Sequence, residues 1–397
     1  MNRPWLTIVG LGEDGPDGLS PASHAALDAA EMIIGPPRHL ALLEDDGTPR
    51  LEWPVPFADG LPLLLKHRGR NTVVLASGDP FWFGAGSVIA RSLNADEWRA
   101  LPGPSTFSLA AARLGWPLER TACLGLHAAP LTRLRPHLAP GQRAILLLRD
   151  GAAVSQLAAY LREVGFGAST LHVFEALGGP SERHRVHIAS DHDLHDVTHP
   201  VAVAVDMAGG VAIGRATGKP DDLFDHDGQI TKQPIRAVTL ATLAPKPGEL
   251  LWDIGAGSGS IALEWLMTDP STQAVAVEAR EDRAARITAN ATKLGQDRLQ
   301  VVTGDALAVL GSLAAPDAVF VGGGLSRDLL DWLEQNLPKG TRLVANAVTL
   351  DTETVLVEAQ SRLGGSLIKL EVSETKPLGR FRGWKAAYPV VQWSVTL

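Results

Sequence analysis

Cysteine is nearly absent from this chain: among 397 residues only Cys123 carries a thiol. One thiol excludes an intrachain disulfide, and no cysteine cluster exists to hold zinc. Long apolar runs are missing as well, since no stretch approaches the ~18 residues of a membrane span. The opening "MNRPWLTIVGLGEDGP" holds too short an apolar run for a secretion signal and reads as a first β-strand. A cytoplasmic protein with no membrane partner is therefore the expectation. There is also no lysine- or arginine-rich tract, and the formal net charge is −8. A nucleic acid normally demands a basic footprint, so no nucleic-acid partner is expected. A small anionic ligand met by a few local cations stays open.

The length favours two or three domains. Short apolar runs alternate with amphipathic segments, which predicts α/β architecture with mainly buried strands. One series of runs is Trp5–Val9, Thr72–Ala76, Arg143–Leu148, Thr170–Phe174 and Val201–Val205. A second is Leu250–Ile254, Ala274–Val277, Leu299–Val302, Ala318–Val321 and Arg342–Ala345. Between them lies the polar, acidic "GRATGKPDDLFDHDGQITKQPIR", residues 214–236. A domain boundary is expected near 215–228, dividing the chain into 1–224 and 225–397. The halves show no internal repeat, so two different folds are joined.

In the second half, "LLWDIGAGSGSIALEWL" (residues 250–266) places Gly255, Gly257 and Gly259 between a strand and a helix expected at Ser260–Met267. Glycines there let the backbone turn tightly and approach a ligand, and a helix start offers unpaired N–H groups. A nicotinamide cofactor and S-adenosylmethionine (SAM) both suit such a turn. The dinucleotide pattern G-x-G-x-x-G would put its third small residue at Ser260. The surrounding acids favour SAM. Asp253, at the end of its strand, can face an ammonium. Glu278 in "AVAVEA" can accept hydrogen bonds from two ribose hydroxyls, and Asp305 in "VVTGDA", with Gly304 and Ala306, can bind an adenine amine. This ordered set resembles the class I SAM-dependent methyltransferases. Together with "QITKQPIRAVTLATL", "VFVGGG" and "KPLGRFRGWKAAYPVVQW", it is similar to the decarboxylating precorrin methyltransferases of the CbiT type over residues 225–397. That resemblance implies that Thr231 lies close to the cofactor and that the Gly322–Gly324 loop faces the methyl group, leaving room for a bulky macrocycle.

The first half carries "IVGLGEDGPDGLSPAS", "ASGDPFWFGAGSVIA", "LPGPSTFSLAAARLGWPL", "VFEALGGPSER" and "VAVAVDM" in order. The first lacks the lysine and Ser/Thr of a phosphate loop, and "SGDP" alone is an ordinary turn. As a set they resemble the tetrapyrrole methylase family (class III SAM enzymes) of the CbiE type, over about residues 3–224. The resemblance implies two α/β lobes with SAM in the cleft between them. Gly78, Asp79, Pro80 and Gly84, then Ser105 and Thr106, would contact the cofactor. Leu148 and Ala176 follow by strand order, and the Gly10/Gly12 loop would border the substrate trough. Six of the twelve histidines fall in 172–199. With no helical spacing and no Cys or acidic partner in place, they read as a solvated face, and no metal site is expected.

Joined, the two halves resemble the CobL-type precorrin-6B (precorrin-6Y) C5,15-methyltransferases (decarboxylating) of cobalamin biosynthesis. That implies one SAM per domain and a product, precorrin-8X. The N-terminal domain would methylate C5, while the C-terminal domain methylates C15 and decarboxylates the C12 acetate. It also implies a homo-oligomer and allows transfer to neighbouring corrin-pathway enzymes. A meso carbon of a reduced tetrapyrrole is already nucleophilic, so positioning is the enzyme's main task. A protonated pyrrole imine can take the electrons released with CO₂, so no metal or redox cofactor is needed. Lys232, Arg236, Arg380 and Arg382 are the expected anchors for substrate carboxylates; no acid or base is assigned. Two alternatives are a two-domain RNA or protein methyltransferase, opposed by the acidic charge, and a non-catalytic SAM-binding module, which would bind without turnover.

Overall fold

The computed structural model describes residues 4–397. The chain forms two compact α/β units. One runs to Ala129 and resumes from His137 to Val211; the other takes Pro130–Pro136 and Ala212–Leu397.

The first unit contains two five-stranded sheets. Its strands are β1 (Leu6–Leu11), β2 (Met32–Gly35), β3 (Arg50–Glu52), β4 (Thr72–Ser77), β5 (Trp98–Leu101), β6 (Thr121–Gly125), β7 (Arg143–Leu148), β8 (Thr170–Glu175), β9 (Arg183–Ile188) and β10 (Val201–Asp206). The first sheet runs β3-β2-β4-β1-β5, with every pairing parallel. Parallel strands are covered on both faces and so read as continuous apolar runs. Alternate residues serve alternate faces: Leu6, Ile8, Val74 and Ala76 enter one core, Val9, Leu11, Val73 and Leu75 the other. The second sheet, β6-β7-β10-β8-β9, is antiparallel except for β6 and β7. Its edge strand β9, "RHRVHI", is alternately half-buried and exposed, which explains why no apolar run announces it.

The second unit adds β11 (Leu250–Ile254), β12 (Gln273–Glu278), β13 (Gln300–Thr303), β14 (Ala318–Val321), β15 (Arg342–Ala347), β16 (Ser366–Leu370), β17 (Ser373–Leu378), β18 (Phe381–Ala386) and β19 (Val390–Thr396). Seven form the sheet β13-β12-β11-β14-β15-β19-β16, and β17 pairs with β18 as an exposed hairpin. The first five are parallel, whereas β19 runs antiparallel to both its neighbours. A dinucleotide fold of order 3-2-1-4-5-6 has a parallel strand beside the fifth; here a reversed strand takes that place. Apolar cores cover both faces.

Each of the ten apolar runs is a strand, with ends shifted by at most two residues, and the helix expected at Ser260–Met267 spans Ser260–Leu266. Residues 218–224, "GKPDDLF", which the division at 224 assigns to the first domain, pack within the second unit. Phe224 joins that unit's core, and the backbone N–H groups of Gly218 and Lys219 bond Glu264 at 2.7 and 2.8 Å.

Candidate functional sites, one in each unit

In the first unit a cavity of about 720 Å³ opens where the ends of β1, β4, β7 and β8 meet the connections that follow them. Pockets of 300–1,000 Å³ hold a cofactor-sized ligand. β4 ends in the turn Ser77–Pro80. Gly78 adopts φ +51°, and a Cβ there would stand 2.8 Å from the Pro104 carbonyl oxygen, so the position demands glycine. Its carbonyl accepts the Gly103 N–H at 3.0 Å, which ties this turn to the one opening helix Thr106–Leu114. Ser105 caps that helix by accepting from Ser108 N–H at 3.0 Å. Asp79 accepts from Phe81 N–H at 2.9 Å.

Gly78, Asp79, Gly84, Ser105, Thr106 and Leu148 all line this cavity, whereas Pro80 and Ala176 are outside its lining. Two non-glycine residues with left-handed backbone flank it, Phe83 (φ 56°) and Ala176 (φ 45°). Such strain gathers at binding sites. Sequence reading did not single out Arg38, His39, Trp53 or His199, which also line it. They lie on connections whose proximity only the fold creates.

In the second unit, β11 leads into Gly255, Gly257 and Gly259, with φ of +69°, +61° and +75°. A Cβ on Gly255 would stand 2.6 Å from the Gly323 carbonyl oxygen, so this turn and the Gly322–Gly324 loop touch backbone to backbone. Asp253 is buried, and its Oδ2 accepts from Ala262 N–H at 3.0 Å. Its Oδ1 is buried without a hydrogen-bond partner among the described residues. Burial, helped by the like charge of Glu278 and opposed by the Ala262 N–H, pushes this carboxyl up to about 7. Glu278 ends β12 and accepts from Gly257 N–H at 2.9 Å and Arg280 N–H at 3.1 Å. Asp305 caps a short helix beginning at Ala306, accepting from Leu307 N–H at 3.0 Å, and is exposed. Gly304 N–H bonds the Glu278 carbonyl at 3.0 Å, which brings the second and third acids together. The Gln229 carbonyl oxygen lies 3.5 Å from the position of a Gly257 Cβ, so the segment leading to half-buried Thr231 runs beside the turn.

An orphaned buried carboxylate oxygen asks for a cation or donor. Beside a glycine turn and a second carboxylate, that donor set fits the ammonium and ribose of SAM. Of the expected anchors, Lys232 is exposed with Nζ 3.6 Å from Asp221, and Arg380 and Arg382 lie on the exposed hairpin. Arg236 requires correction. It is fully buried, with Nε on Glu264 at 2.7 Å, Nη2 on Asp221 at 3.1 Å and on the Lys219 carbonyl, and Nη1 on the Thr231 carbonyl. Its donors are consumed inside the fold, so it holds the 216–236 segment to the helix after the glycine turn rather than meeting a substrate.

Among the described residues no group of three or more His, Cys, Asp or Glu side chains is arranged to hold a metal ion. His172 and His184 stack on each other, and His184 also stacks on Phe174. No described helix is long and apolar enough to cross a membrane.

Two family models divide the chain: tetrapyrrole (corrin/porphyrin) methylases match residues 5–190, and a precorrin methyltransferase domain matches 222–397. A precorrin-6Y C(5,15)-methyltransferase (decarboxylating) from Sinorhizobium is 47% identical, covering 99% of this chain and 96% of the relative. The chain belongs to the precorrin-6Y C(5,15)-methyltransferase family. It is thus a methyltransferase. The Mycobacterium tuberculosis member is 42% identical over 98% of this chain and 99% of its own. The crystal structure of the C-terminal domain of a Rhodobacter capsulatus precorrin-6Y C5,15-methyltransferase matches with 48% identity, covering 47% of this chain and 100% of that one, at a TM-score of 0.45.

Proposed function

We propose that this chain is a bifunctional C-methyltransferase of cobalamin biosynthesis, adding methyl groups at C5 and C15 of precorrin-6B (precorrin-6Y) and removing CO₂ from the C12 acetate to give precorrin-8X. The observation that carries this reading is that one chain holds two unlike ligand-binding arrangements in two units: a cavity beside Gly78, and an orphaned Asp253 carboxylate beside Gly255. The first methylation is placed in residues up to about 224. The second, with decarboxylation, is placed in 225–397, with 212–224 as its structural support.

SAM, one molecule per unit, supplies an electrophilic methyl group when bound. In the first unit, the backbone around Gly78–Pro80 and Gly84 and the hydroxyls of Ser105 and Thr106 hold it, with Leu148 and the neighbourhood of Ala176 along its length. In the second, ionised Asp253 receives the ammonium, Glu278 the ribose hydroxyls and Asp305 the adenine amine. The backbone of Gly255, Gly257, Gly259, Gly304, Ala306 and Gly322 gives close approach, with Thr231 beside it. With SAM bound, the meso carbon would take the methyl group as the sulfonium C–S bond breaks and S-adenosylhomocysteine leaves, so what these residues would supply is positioning. Exposed Lys232, which stands 3.6 Å from Asp221, and exposed Arg380 and Arg382 would hold peripheral carboxylates. The acetate that loses CO₂ would be left without a tight cation; the pair of its breaking C–C bond would pass to the neighbouring protonated ring nitrogen, and the resulting methylene carbon would then take up a proton. Cytoplasmic location, self-association and hand-over to later pathway enzymes follow the family resemblance.

The test is incubation of the full chain with precorrin-6B and methyl-labelled SAM. Product mass should rise by two methyl groups and fall by one CO₂. A single methyl gain, or SAM binding without turnover, contradicts the reading.

A further inference from the structure

The cavity of the first unit contains a buried donor that the fold leaves unsatisfied. His39 lines the cavity and is 1% exposed. Its Nε2 lies 2.9 Å from Arg38 Nη2 and 3.2 Å from Ser77 Oγ. A guanidinium nitrogen can only donate, so Nε2 must accept, and the ring proton sits on Nδ1. That Nδ1–H is buried and has no hydrogen-bond partner among the described residues. Native folds seldom leave such a group unpaired. Burial, with the adjacent Arg38 charge adding to it, brings the imidazolium down to about 3, so the ring is neutral at any working pH and this tautomer persists.

The surroundings define the missing acceptor. Arg38 is 30% exposed, donates to Ser77 Oγ at 3.2 Å and forms an ion pair with Glu13. Its charge also reaches the second sheet: after burial, it is the next cause holding the His199 imidazole below its usual value. Ser77 immediately precedes Gly78, which puts this cluster beside the turn assigned to the cofactor. A neutral N–H donor, a guanidinium and a hydroxyl in a recess suit a carboxylate, which accepts from several donors.

We propose that Arg38 and His39, positioned by Ser77, form a carboxylate-binding subsite of the N-terminal cleft, with His39 Nδ1–H and the Arg38 guanidinium as its donors. This rests on the reading that the cleft methylates a tetrapyrrole. The carboxylate belongs either to an acetate or propionate of the macrocycle or to the methionine moiety of SAM, and one experiment separates the sources.

His39→Gln in the full chain keeps an acceptor for Arg38 near the Nε2 position and removes the δ-position donor; His39→Asn retains an N–H there. With precorrin-6B and methyl-labelled SAM, the two new methyl positions are resolved by NMR of the product, so methylation by the second unit is an internal control. His39→Gln should weaken one constant of the first unit roughly tenfold to a hundredfold, the range of a hydrogen bond to a charged group: either the KM for corrinoid in C5 methylation rises or the affinity for SAM falls. C15 methylation should stay at its wild-type rate, and His39→Asn should recover most of the loss. If the macrocycle supplies the carboxylate, SAM affinity of the first unit is unchanged. If SAM supplies it, that affinity falls by the same factor while the corrinoid KM holds.

A folded His39→Gln protein with both constants at wild-type values overturns the subsite. Should His39→Gln fail to fold, Arg38→Gln, at a partly exposed position, carries the same expected and overturning results. Failure of the underlying reading looks different, because the wild type itself would then add no methyl at C5.

Discussion

The two candidate sites differ in what surrounds the bend. Around Gly78 stand hydroxyls, backbone, apolar side chains and the Arg38–His39 pair, and the acid of the motif, Asp79, is half-exposed and engaged with Phe81 N–H. Around Gly255 stand two buried acids at successive strand ends, one lacking a partner for one oxygen. Both depend on a glycine whose Cβ would meet backbone. Tight backbone approach is thus the shared requirement. Charge is the local choice: the second unit sets buried carboxylates at its bend, whereas the first sets a guanidinium and a neutral imidazole beside its own.

The difference sharpens most at Glu264, because the second site stands on a buried ion pair. Glu264→Gln removes the charge facing buried Arg236, and unfolding by denaturant should show a loss of about 3–5 kcal/mol in the second unit. By the same argument a fragment starting at 225 should unfold more easily than one starting at 212, which keeps the Gly218 and Lys219 N–H donors to Glu264. Next come the glycines. Gly78→Ala should depress C5 methylation, and Gly255→Ala C15 methylation, each on the order of a hundredfold, the cost of displacing a bound reactant by about an ångström. Product NMR should show the other position intact, and loss of both from either change would break the independence of the sites.

Asp253→Asn should weaken SAM binding at the second site roughly tenfold or more. Its carboxyl is held up to about 7 and must ionise to meet an ammonium, so wild-type affinity there should fall as pH drops below 7 and binding should release a proton, readable by calorimetry in buffers of different ionisation heat. In the first unit, Glu175 behaves oppositely. Burial would raise its pKa, but hydrogen bonds from Arg183, Thr198 and Arg185 bring it down to about 2. A depressed carboxylate contributes stability that is complete above about 4.5 and disappears as pH falls toward 2, so acid melts should show that loss in wild type and not in Glu175→Gln. The smallest effect is at Asp305: removing an exposed helix cap by Asp305→Ala costs about 1 kcal/mol in the stability of the second unit.

Much of this arrangement was legible in sequence because parallel buried strands are apolar runs and the residues after them carry the chemistry. Asp253, Glu278 and the glycine turns fall at those ends. The rest was hidden for stated reasons. β9 alternates between half-buried and exposed residues, and the β17–β18 hairpin is exposed except at half-buried Gly383, so neither forms an apolar run. Arg236 read as an anchor since nothing in the chain announces that Glu264, 28 positions later, lies 2.7 Å away. Arg38 and His39 went unnoticed because their meaning depends on Ser77, 38 residues beyond His39, and on a nitrogen left without a partner.

The central claim is that two separate pockets in one chain each take a methyl donor. Calorimetric titration of the full-length protein with SAM tests it most directly. Two equivalents per chain are predicted, falling to one in Gly78→Ala and in Gly255→Ala. A stoichiometry of one in the wild-type protein would contradict it.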